Sequence, residues 1–271
     1  MKTAQIAVEY LDHLGTDLTV VNAARASFGK ESAWADAEKR TLKADDAGLI
    51  RYLATGYRTG EWEEFLNSIT GLVQYGLDTN DLEQARANLT DLLHAYKRRA
   101  QHWAPFAHPQ VQIRIQIPIF LARQFVKHQV GGVWSEESRR YISDEPGVWF
   151  PDEWHTRPDD IKQGSEGVHP ESEMWGQAAR EHTKSALAFY GQAVTCGVAP
   201  EEARIVLPLN MVTTVVWTGS LLFWSRVCNQ RVDSHAQLAA QELGRLISGI
   251  VGPLFPASWK ALTGLEVVSE H

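Results

Sequence analysis

The feature that most constrains the fold is a stretch from Val111 to Ile117 in which apolar and polar side chains alternate strictly. A strand places successive side chains on opposite faces, so this pattern predicts a strand with one buried face and one polar face. Pro118 follows directly, and apolar residues then recur at helical spacing. A strand that leads at once into a helix requires a fold that contains both sheet and helices.

The helix after Pro118 is predicted to carry a polar stripe on one face. Gln124, Lys127 and His128 are separated by three and four residues, so a helix that continued through His128 would bring their side chains together. Its other face is apolar. The stripe is therefore a candidate for ligand contacts.

Two glycines, Gly131 and Gly132, end the helical pattern, because glycine adopts the left-handed conformation that closes a helix. The residues from Ser135 to Arg140 then supply hydroxyls, carboxylates and guanidiniums on a predicted loop. Such groups suit a phosphorylated small molecule that accepts and donates hydrogen bonds.

Composition narrows the class of protein. The chain has 271 residues, 44% of them hydrophobic, which is enough for one large domain or two small ones with a true core. Its formal charge of −7 argues against a nucleic-acid-binding surface, which needs a basic face. With only Cys196 and Cys228, no disulfide framework is expected, and a cytoplasmic location is favoured. The chain shows neither a charged-then-apolar leader nor a long apolar run, so we expect no membrane partner.

The remaining segments are predicted to be mainly helical. Residues 31 to 100 carry apolar side chains at helical spacing, and a further helix is predicted from Trp175 to Gly191. Residues 144 to 175 have no period and are predicted to form a long loop that is a candidate lid. Thr19 to Phe28 is interpreted as the end of a strand that turns into a loop or short helix. The last helix is predicted over Ala236 to Ile250.

Three short motifs in the central stretch resemble the signature of the flavin-dependent thymidylate synthases. That family carries an Ala-Arg-Gln helix, an Arg-His-Arg triplet and a loop that ends in Ser-x-Arg-Tyr. The corresponding segments here are Ala122-Arg123-Gln124, Lys127-His128-Gln129 and Ser138-Arg139-Arg140-Tyr141. Both arginines of the triplet are replaced, and the spacing from His128 to Ser138 is one residue longer than in the family.

Four other segments extend the resemblance over most of the chain. Ala203-Arg204 with Leu207-Pro208 matches the family's Ala-Arg-x-x-Leu-Pro segment, and Arg231 to Gln237 corresponds to a later landmark. In that landmark Ser234 and Gln237 also form the pattern of a helix capping box. Ala23 to Phe28 and His102 to His108 correspond to segments at the family's cofactor site.

The resemblance implies an α+β fold, in which a twisted, mostly antiparallel sheet is flanked by helices. It further implies a single domain over residues 1–271 with a helical insertion at about 45–80, and a homotetramer whose sites are built from several subunits. Family members transfer a one-carbon unit from methylenetetrahydrofolate to C5 of dUMP. They use FAD for the hydride and NADPH as the reductant.

Residue roles are carried over from the family by position. Arg231 is the expected catalytic residue, which polarises or ionises N3 of the base. Contacts to the nucleotide are expected from Gln124, Lys127, Glu136, Ser138, Arg139, Arg140, Arg204 and Arg231. Contacts to the cofactor are expected from Ser27, His102, Lys127, His128, Gln129 and His235.

This chain matches more of the residues that contact the nucleotide in the family than of those that contact the flavin. Ala104 and Ala107 replace polar groups that help to hold the flavin in the family. Where the family has an Asn, an Arg and a further Asn at the flavin site, this chain has Ser220, Leu222 and Arg226. Two enzymatic alternatives therefore stay open, namely a thymidylate synthase with a rearranged cofactor pocket and a synthase of 5-hydroxymethyl-pyrimidine nucleotides for modified DNA. For both enzymes the substrate base is either uracil or cytosine. A third alternative is a non-catalytic nucleotide-binding paralogue.

Overall fold

The computed structural model describes residues 1–79, 81–97, 101–158, 164–233 and 235–265. In chain order, its strands are β1 Lys2–Thr3, β2 Ala7–Leu14, β3 Gln110–Pro118, β4 Gly132–Glu136, β5 Gly147–Val148, β6 His155–Thr156, β7 Glu166–Val168 and β8 Val212–Ser220. Its helices are α1 Asp17–Ala26, α2 Ala44–Thr55, α3 Thr59–Thr79, α4 Leu82–Lys97, α5 Ile119–Phe125, α6 Ser172–Thr195, α7 Pro200–Ala203, α8 Leu221–Arg231, α9 Leu238–Leu254 and α10 Pro256–Thr263. The predicted α+β class is confirmed.

The chain divides into two compact units. The first contains Met1–His13 and Gln110–Val251, and the second contains Leu14–Pro109 and the chain from Gly252 onward. The sequence predicts one domain with an insertion at about 45–80; these residues form α2 and α3. Whether they are an insertion relative to the family stays a prediction.

The first unit is built on a four-stranded sheet in the order β2-β3-β8-β4, in which β8 runs antiparallel to both β3 and β4. The strand predicted over Val111 to Ile117 is confirmed as β3, and the apolar side chains that alternate along it are fully buried. Trp217 of β8 is 1% exposed and stacks edge-on against Trp134, Phe223 and Trp224, with ring centroids 4.9, 5.1 and 5.0 Å away. This aromatic cluster forms a core beneath the turn between α5 and β4.

The second unit is helical, and a buried carboxylate ties its two ends together. Asp17 opens α1, is 4% exposed, and accepts the backbone N–H groups of Ala257 and Ser258 at 2.9 Å each. These are the first N–H groups of α10, which lack partners within the helix. Burial raises the pKa of Asp17 even though these hydrogen bonds oppose the shift.

The helices α3 and α4 pack against each other as an antiparallel hairpin at a small-residue contact. A Cβ added at Gly76 would lie 2.9 Å from the Cβ of Ala85, so the two helices approach closely there.

Within the described residues, no helix is long and apolar enough to cross a membrane.

The helix after Pro118, α5, is shorter than predicted. It was expected to continue through His128, but α5 ends at Phe125 and Val126 is its C-terminal cap. Gly131 does adopt a left-handed conformation, with φ of 88°, yet it lies in the turn before β4 and does not close the helix. The predicted loop from Ser135 is also wrong at its start, because Ser135 and Glu136 pair with Val216 and Val215 of β8.

Other predicted boundaries also differ. Thr19 lies inside α1, so the predicted strand end is wrong; its Oγ1 accepts the N–H of Thr16 at 2.9 Å and helps to begin the helix. The helix predicted over Trp175 to Gly191 is confirmed within α6. The expected loop of residues 144 to 175 contains the short strands β5, β6 and β7 and the start of α6.

The C-terminal helices were predicted incompletely. The helix expected from Ala236 to Ile250 is α9, which begins at Leu238 and ends at Leu254, and it is followed by α10. The predicted N-cap, Ser234, lies outside the described residues. Apart from Pro256, no sequence pattern indicates α10, because this helix is only eight residues long and depends on Asp17 at its start.

Candidate active site

The site begins at the C-terminal end of α5, where Arg231 from the end of α8 replaces a helical hydrogen bond. In a continued helix the carbonyl of Gln124 would accept the N–H of His128, but that N–H is bonded to the carbonyl of Phe125 at 3.0 Å. Nη2 of Arg231 donates to the Gln124 carbonyl oxygen at 3.2 Å instead. A guanidinium that binds the last carbonyls of a helix also interacts favourably with the helix dipole.

The second partner of Arg231 is the imidazole of His128. Nε of Arg231 donates to Nε2 of His128 at 3.1 Å, so the imidazole is neutral and carries its proton on Nδ1. Burial, and secondarily the charge of Arg231, lowers the pKa of His128 below its ordinary value. Burial also lowers the pKa of Arg231.

The ring of Phe125 completes this setting, because the guanidinium carbon of Arg231 lies 5.3 Å from its centroid. Arg231 is thus held by an imidazole nitrogen, a carbonyl oxygen and an aromatic face, all of them neutral. Its Nη1 has no hydrogen bond within the described part of the chain. The cation is fixed in place and still has a donor for a ligand.

A concave pocket of about 320 Å³ lies between α8 and the turn after α5, and we call it the arginine pocket. Its lining includes four residues predicted from the sequence, namely Lys127, His128, Gln129 and Arg231. Phe223 forms an apolar wall, and a Cβ on Gly219 would overlap its ring, so the strand must carry glycine there. The lining also contains Arg226, which stands where the family has an asparagine at the flavin site and which was not among the predicted ligand contacts.

Gln124 is close to this arrangement through its backbone, and its side chain has an unsatisfied acceptor. Its Oε1 is buried and has no hydrogen-bond partner among the described residues. A buried acceptor without a donor is costly, so it is a good candidate for contact with a ligand N–H.

The loop after β4 carries the other predicted nucleotide contacts, and it lies outside the lining of the arginine pocket. Arg139 is 9% exposed and donates to the backbone and side-chain oxygens of Asp144 at 2.7 and 3.0 Å, so it holds the loop together. Arg140 is exposed, and its Nε donates to Oγ of Ser138 at 3.1 Å. Glu136 accepts from Nε1 of Trp134 at 3.3 Å.

Two further predicted residues are exposed and outside this pocket. Arg204 lies in a short 3₁₀ helix, Arg204–Val206, and donates to the carbonyl oxygen of Glu201 at 3.2 Å. His235 contacts the carboxylate of Asp233 at 2.9 Å, and the hydrogen bonds from His235 lower the pKa of Asp233. The roles predicted for Arg140, Arg204 and His235 stay predictions.

The second unit has its own groove of about 1410 Å³, which we call the aromatic groove. Ser27 and His102, both predicted as cofactor contacts, share its lining. Phe28 and Trp103, at 80% and 57% exposed, present aromatic rings there, and the rings of Tyr52 and His102 stack with centroids 5.4 Å apart.

The aromatic groove also contains Arg25, whose charge is neutralised by a buried partner. Asp46 is fully buried and accepts from Nε and Nη2 of Arg25 at 3.0 and 2.5 Å, and its second oxygen accepts from Oγ of Ser32 at 2.5 Å. Asn22 fixes the same loop through both backbone groups of Ser32. Asp46 is not recognisable from the sequence, because an acidic residue in the first turn of a helix usually interacts only with the helix dipole.

The chain is similar to known proteins over most of its length. The family model described as thymidylate synthase complementing protein matches residues 9–257. The flavin-dependent thymidylate synthase of Thermus thermophilus is 30% identical over 254 residues, which are 94% of this chain and 74% of that protein. The enzyme of the same name from Kosmotoga olearia is 33% identical over 166 residues, 59% of this chain and 70% of that protein.

Among solved structures, the UMP/dUMP methylase PolB from Streptomyces cacaoi, bound with 5-Br dUMP, matches over 100% of both chains. Its TM-score is 0.70 and its sequence identity is 22%. At this identity the likeness shows that the two chains share a fold.

Proposed function

Since the chain belongs to the thymidylate synthase complementing protein family and is an enzyme of that class, we propose that it transfers a one-carbon unit from methylenetetrahydrofolate to C5 of dUMP. The observation that carries this proposal is the setting of Arg231, which is fixed by three neutral groups and retains a donor with no partner among the described residues. A fixed cation of this kind stabilises negative charge that develops on a bound substrate.

The chemistry requires electron density at C5 of the pyrimidine, which is a poor nucleophile. Negative charge on the N3–C4–O4 edge raises that density, and a guanidinium beside the edge stabilises the charge. C5 then attacks the methylene carbon as the bond from that carbon to one folate nitrogen breaks, and C5 afterwards loses its proton to water. The bond to the second folate nitrogen breaks as tetrahydrofolate leaves, and hydride or water adds to the carbon that remains on C5. Gln124, with its unpartnered buried acceptor, is suited to an N–H of the base.

The alternative route, addition of a thiolate at C6, has no suitable cysteine among the described residues. Cys228 is completely buried, and burial raises the pKa of its thiol, so the reactive thiolate is disfavoured. Cys196 is exposed at the end of α6 and is outside the arginine pocket. The proposal therefore assigns activation of the base to Arg231.

The aromatic groove fits a flavin nucleotide by the chemistry of its lining. Exposed rings of Phe28 and Trp103 suit stacking on a planar ring, and Lys30 and Arg58 suit phosphate groups. We propose that Ser27 and His102 contact FAD there. When bound and reduced, by NADPH in this proposal, FAD supplies the hydride that completes the methyl group.

A second product, the 5-hydroxymethyl nucleotide, is favoured by one observation. Ser220 stands where the family has a polar flavin contact, but its Oγ accepts the N–H of Phe223 at 3.1 Å and is used to cap α8. Leu222 and Ala104 supply no polar group at two other positions. If the flavin is not held, water in place of hydride adds to the exocyclic carbon after tetrahydrofolate has left, and the product carries a hydroxymethyl group.

Product analysis distinguishes these outcomes. Purified protein is incubated with methylenetetrahydrofolate and either dUMP or dCMP, with and without FAD and NADPH, and the nucleotides are examined by mass spectrometry. We expect 5-methylated dUMP that depends on FAD and NADPH. A hydroxymethyl product without FAD supports the second candidate, while bound but unaltered nucleotides support a non-catalytic paralogue. Light scattering tests the proposed homotetramer.

A further inference from the structure

Two cations in the arginine pocket have no acidic partner. Lys127 lies in the turn after α5 and Arg226 lies on α8, and both side chains are exposed. Within the described residues, neither side chain forms a hydrogen bond or an ion pair. Each is free to bind a ligand.

The charge of the pocket is also unbalanced. Among the described residues, its lining contains the permanent cations Lys127, Arg226 and Arg231 and no carboxylate. The positive charge of Arg231 is not neutralised by its hydrogen-bond partners, since His128 is a neutral acceptor. Cations gathered in a concave site without counter-charge create a positive potential that attracts anions.

The placement of these groups suits a phosphate. Arg226 and Gln230 are one turn apart on α8 and share a face, while Lys127 and Gln129 come from the opposite wall. A guanidinium binds two phosphate oxygens with its planar fork, and an ammonium adds a compact point charge. The pocket volume of about 320 Å³ accommodates a phosphate group with part of the molecule that carries it.

We propose that Lys127 and Arg226 form a phosphate-binding pair, and that Arg226 is a nucleotide-binding residue of this chain. The ligand group is the phosphate of a nucleotide, and in this respect the inference rests on the proposed function. The phosphate belongs either to the pyrimidine substrate or to the flavin, which have the same phosphate chemistry. The experiment identifies which of them it is.

Binding constants are measured by calorimetry for two pairs of compounds, dUMP with deoxyuridine and FMN with riboflavin. Arg226→Gln is expected to weaken the phosphorylated member of one pair by about tenfold or more, because a charge-assisted hydrogen bond is lost. The unphosphorylated member should bind unchanged. Lys127→Gln should act in the same direction, and wild-type affinity for the phosphorylated compound should fall as salt is raised.

An exchange variant tests position and charge together. Gln129 lines the same pocket, so Gln129→Arg combined with Arg226→Gln keeps the charge of the pocket. We expect this variant to regain most of the lost affinity. The matched control is Arg86→Gln, an exposed arginine of α4 that is outside the pocket lining, and it should bind like the wild type. Circular dichroism shows whether each variant keeps its helices.

The proposal is overturned if Arg226→Gln leaves both phosphorylated compounds unaffected, or if it weakens both members of a pair equally. It is also overturned if the exchange variant binds no better than Arg226→Gln. Failure of the proposed function looks different, because a wild-type protein that binds dUMP through Arg226 but leaves it unaltered contradicts only the reaction.

Discussion

Arg231 and Arg25 are both partly buried arginines beside a cavity, but they are held in opposite ways. Arg231 is bonded to an imidazole nitrogen and a backbone carbonyl and lies against a phenyl ring. Arg25 is bonded to the fully buried carboxylate of Asp46. The first cation is fixed without being neutralised, and the second is fixed by being neutralised.

This difference separates a catalytic role from a structural one. A guanidinium held by neutral acceptors keeps its full charge for a substrate, and its burial increases the effect of that charge. An ion pair such as Arg25 with Asp46 contributes mainly to the position of the loop that carries it. Substitutions at the two sites should therefore affect different properties of the protein.

The largest expected effect is the loss of turnover in Arg231→Ala. We expect kcat to fall by a factor of about 10² to 10³ or more, because a preorganised donor to developing charge is removed. The midpoint of thermal unfolding should fall only modestly, because the contacts of Arg231 to His128 and the Gln124 carbonyl are partly exposed to water. Steady-state kinetics and circular dichroism measure the two properties, with Arg86→Ala as the control. Activity close to that of the wild type would remove Arg231 from the mechanism.

Asp46→Asn should show the opposite behaviour. Loss of the buried carboxylate leaves Arg25 and Ser32 without their partner, and we expect the free energy of unfolding to fall by about 2 kcal/mol, since Arg25 is partly exposed. Urea unfolding measures this change. Asp45→Asn is the matched control, because Asp45 is the exposed neighbour in the same turn. Equal destabilisation by both variants would contradict a special role of Asp46.

Substitutions of His128 test whether its neutral imidazole is needed to position Arg231. His128→Ala should lower kcat about tenfold, because a catalytic group that is only slightly misplaced loses much of its effect. His128→Gln keeps an acceptor near Nε2 and should regain part of the rate. If both variants match the wild type, the imidazole does not position Arg231.

The same residue predicts a pH dependence with a definite sign. The pKa of His128 is lowered from its ordinary 6.5, so the folded protein favours the neutral imidazole. The stabilisation from the Arg231 contact is complete above the ordinary pKa and is lost as pH falls through the lowered one. The activity of the wild type should therefore fall as His128 becomes protonated at acidic pH. His128→Gln, which lacks this titrating group, should not show the same fall in activity.

The smallest effect is expected for Arg204, which is exposed and, among the described residues, donates only to a backbone carbonyl oxygen. Arg204→Ala should weaken dUMP binding by about threefold to tenfold, the range for one solvent-exposed charged contact, and leave kcat nearly unchanged. Calorimetry with dUMP measures the affinity. Unchanged affinity would contradict its predicted contact with the nucleotide.

Local patterns in the sequence predicted the strands and helices whose structure does not depend on contacts with distant residues. The alternation from Val111 to Ile117 is sufficient to identify β3, since burial of one face produces it. Helical spacing similarly identified most of α6. The motif resemblance gave the family and placed Lys127, His128 and Arg231, which share the arginine pocket.

The errors arise where distant residues decide local structure. The end of α5 at Phe125 accompanies a contact from Arg231 to Gln124, 107 residues away, which a helical pattern cannot reveal. The segment from Thr19 was interpreted as the end of a strand, yet its β-branched residues Val20 and Val21 are fully buried in α1, where packing overrides their intrinsic preference. Asp46 was missed for the same reason, since its partner Arg25 precedes it by 21 residues.

The most direct test of the account is the release of tritium from dUMP labelled at C5. Replacement of the C5 hydrogen by a one-carbon unit transfers the label to water, whether the product carries a methyl or a hydroxymethyl group. We predict release by the wild type that requires methylenetetrahydrofolate and is lost in Arg231→Ala. Absence of release from the wild type, or undiminished release from Arg231→Ala, would contradict the central claim that Arg231 activates C5.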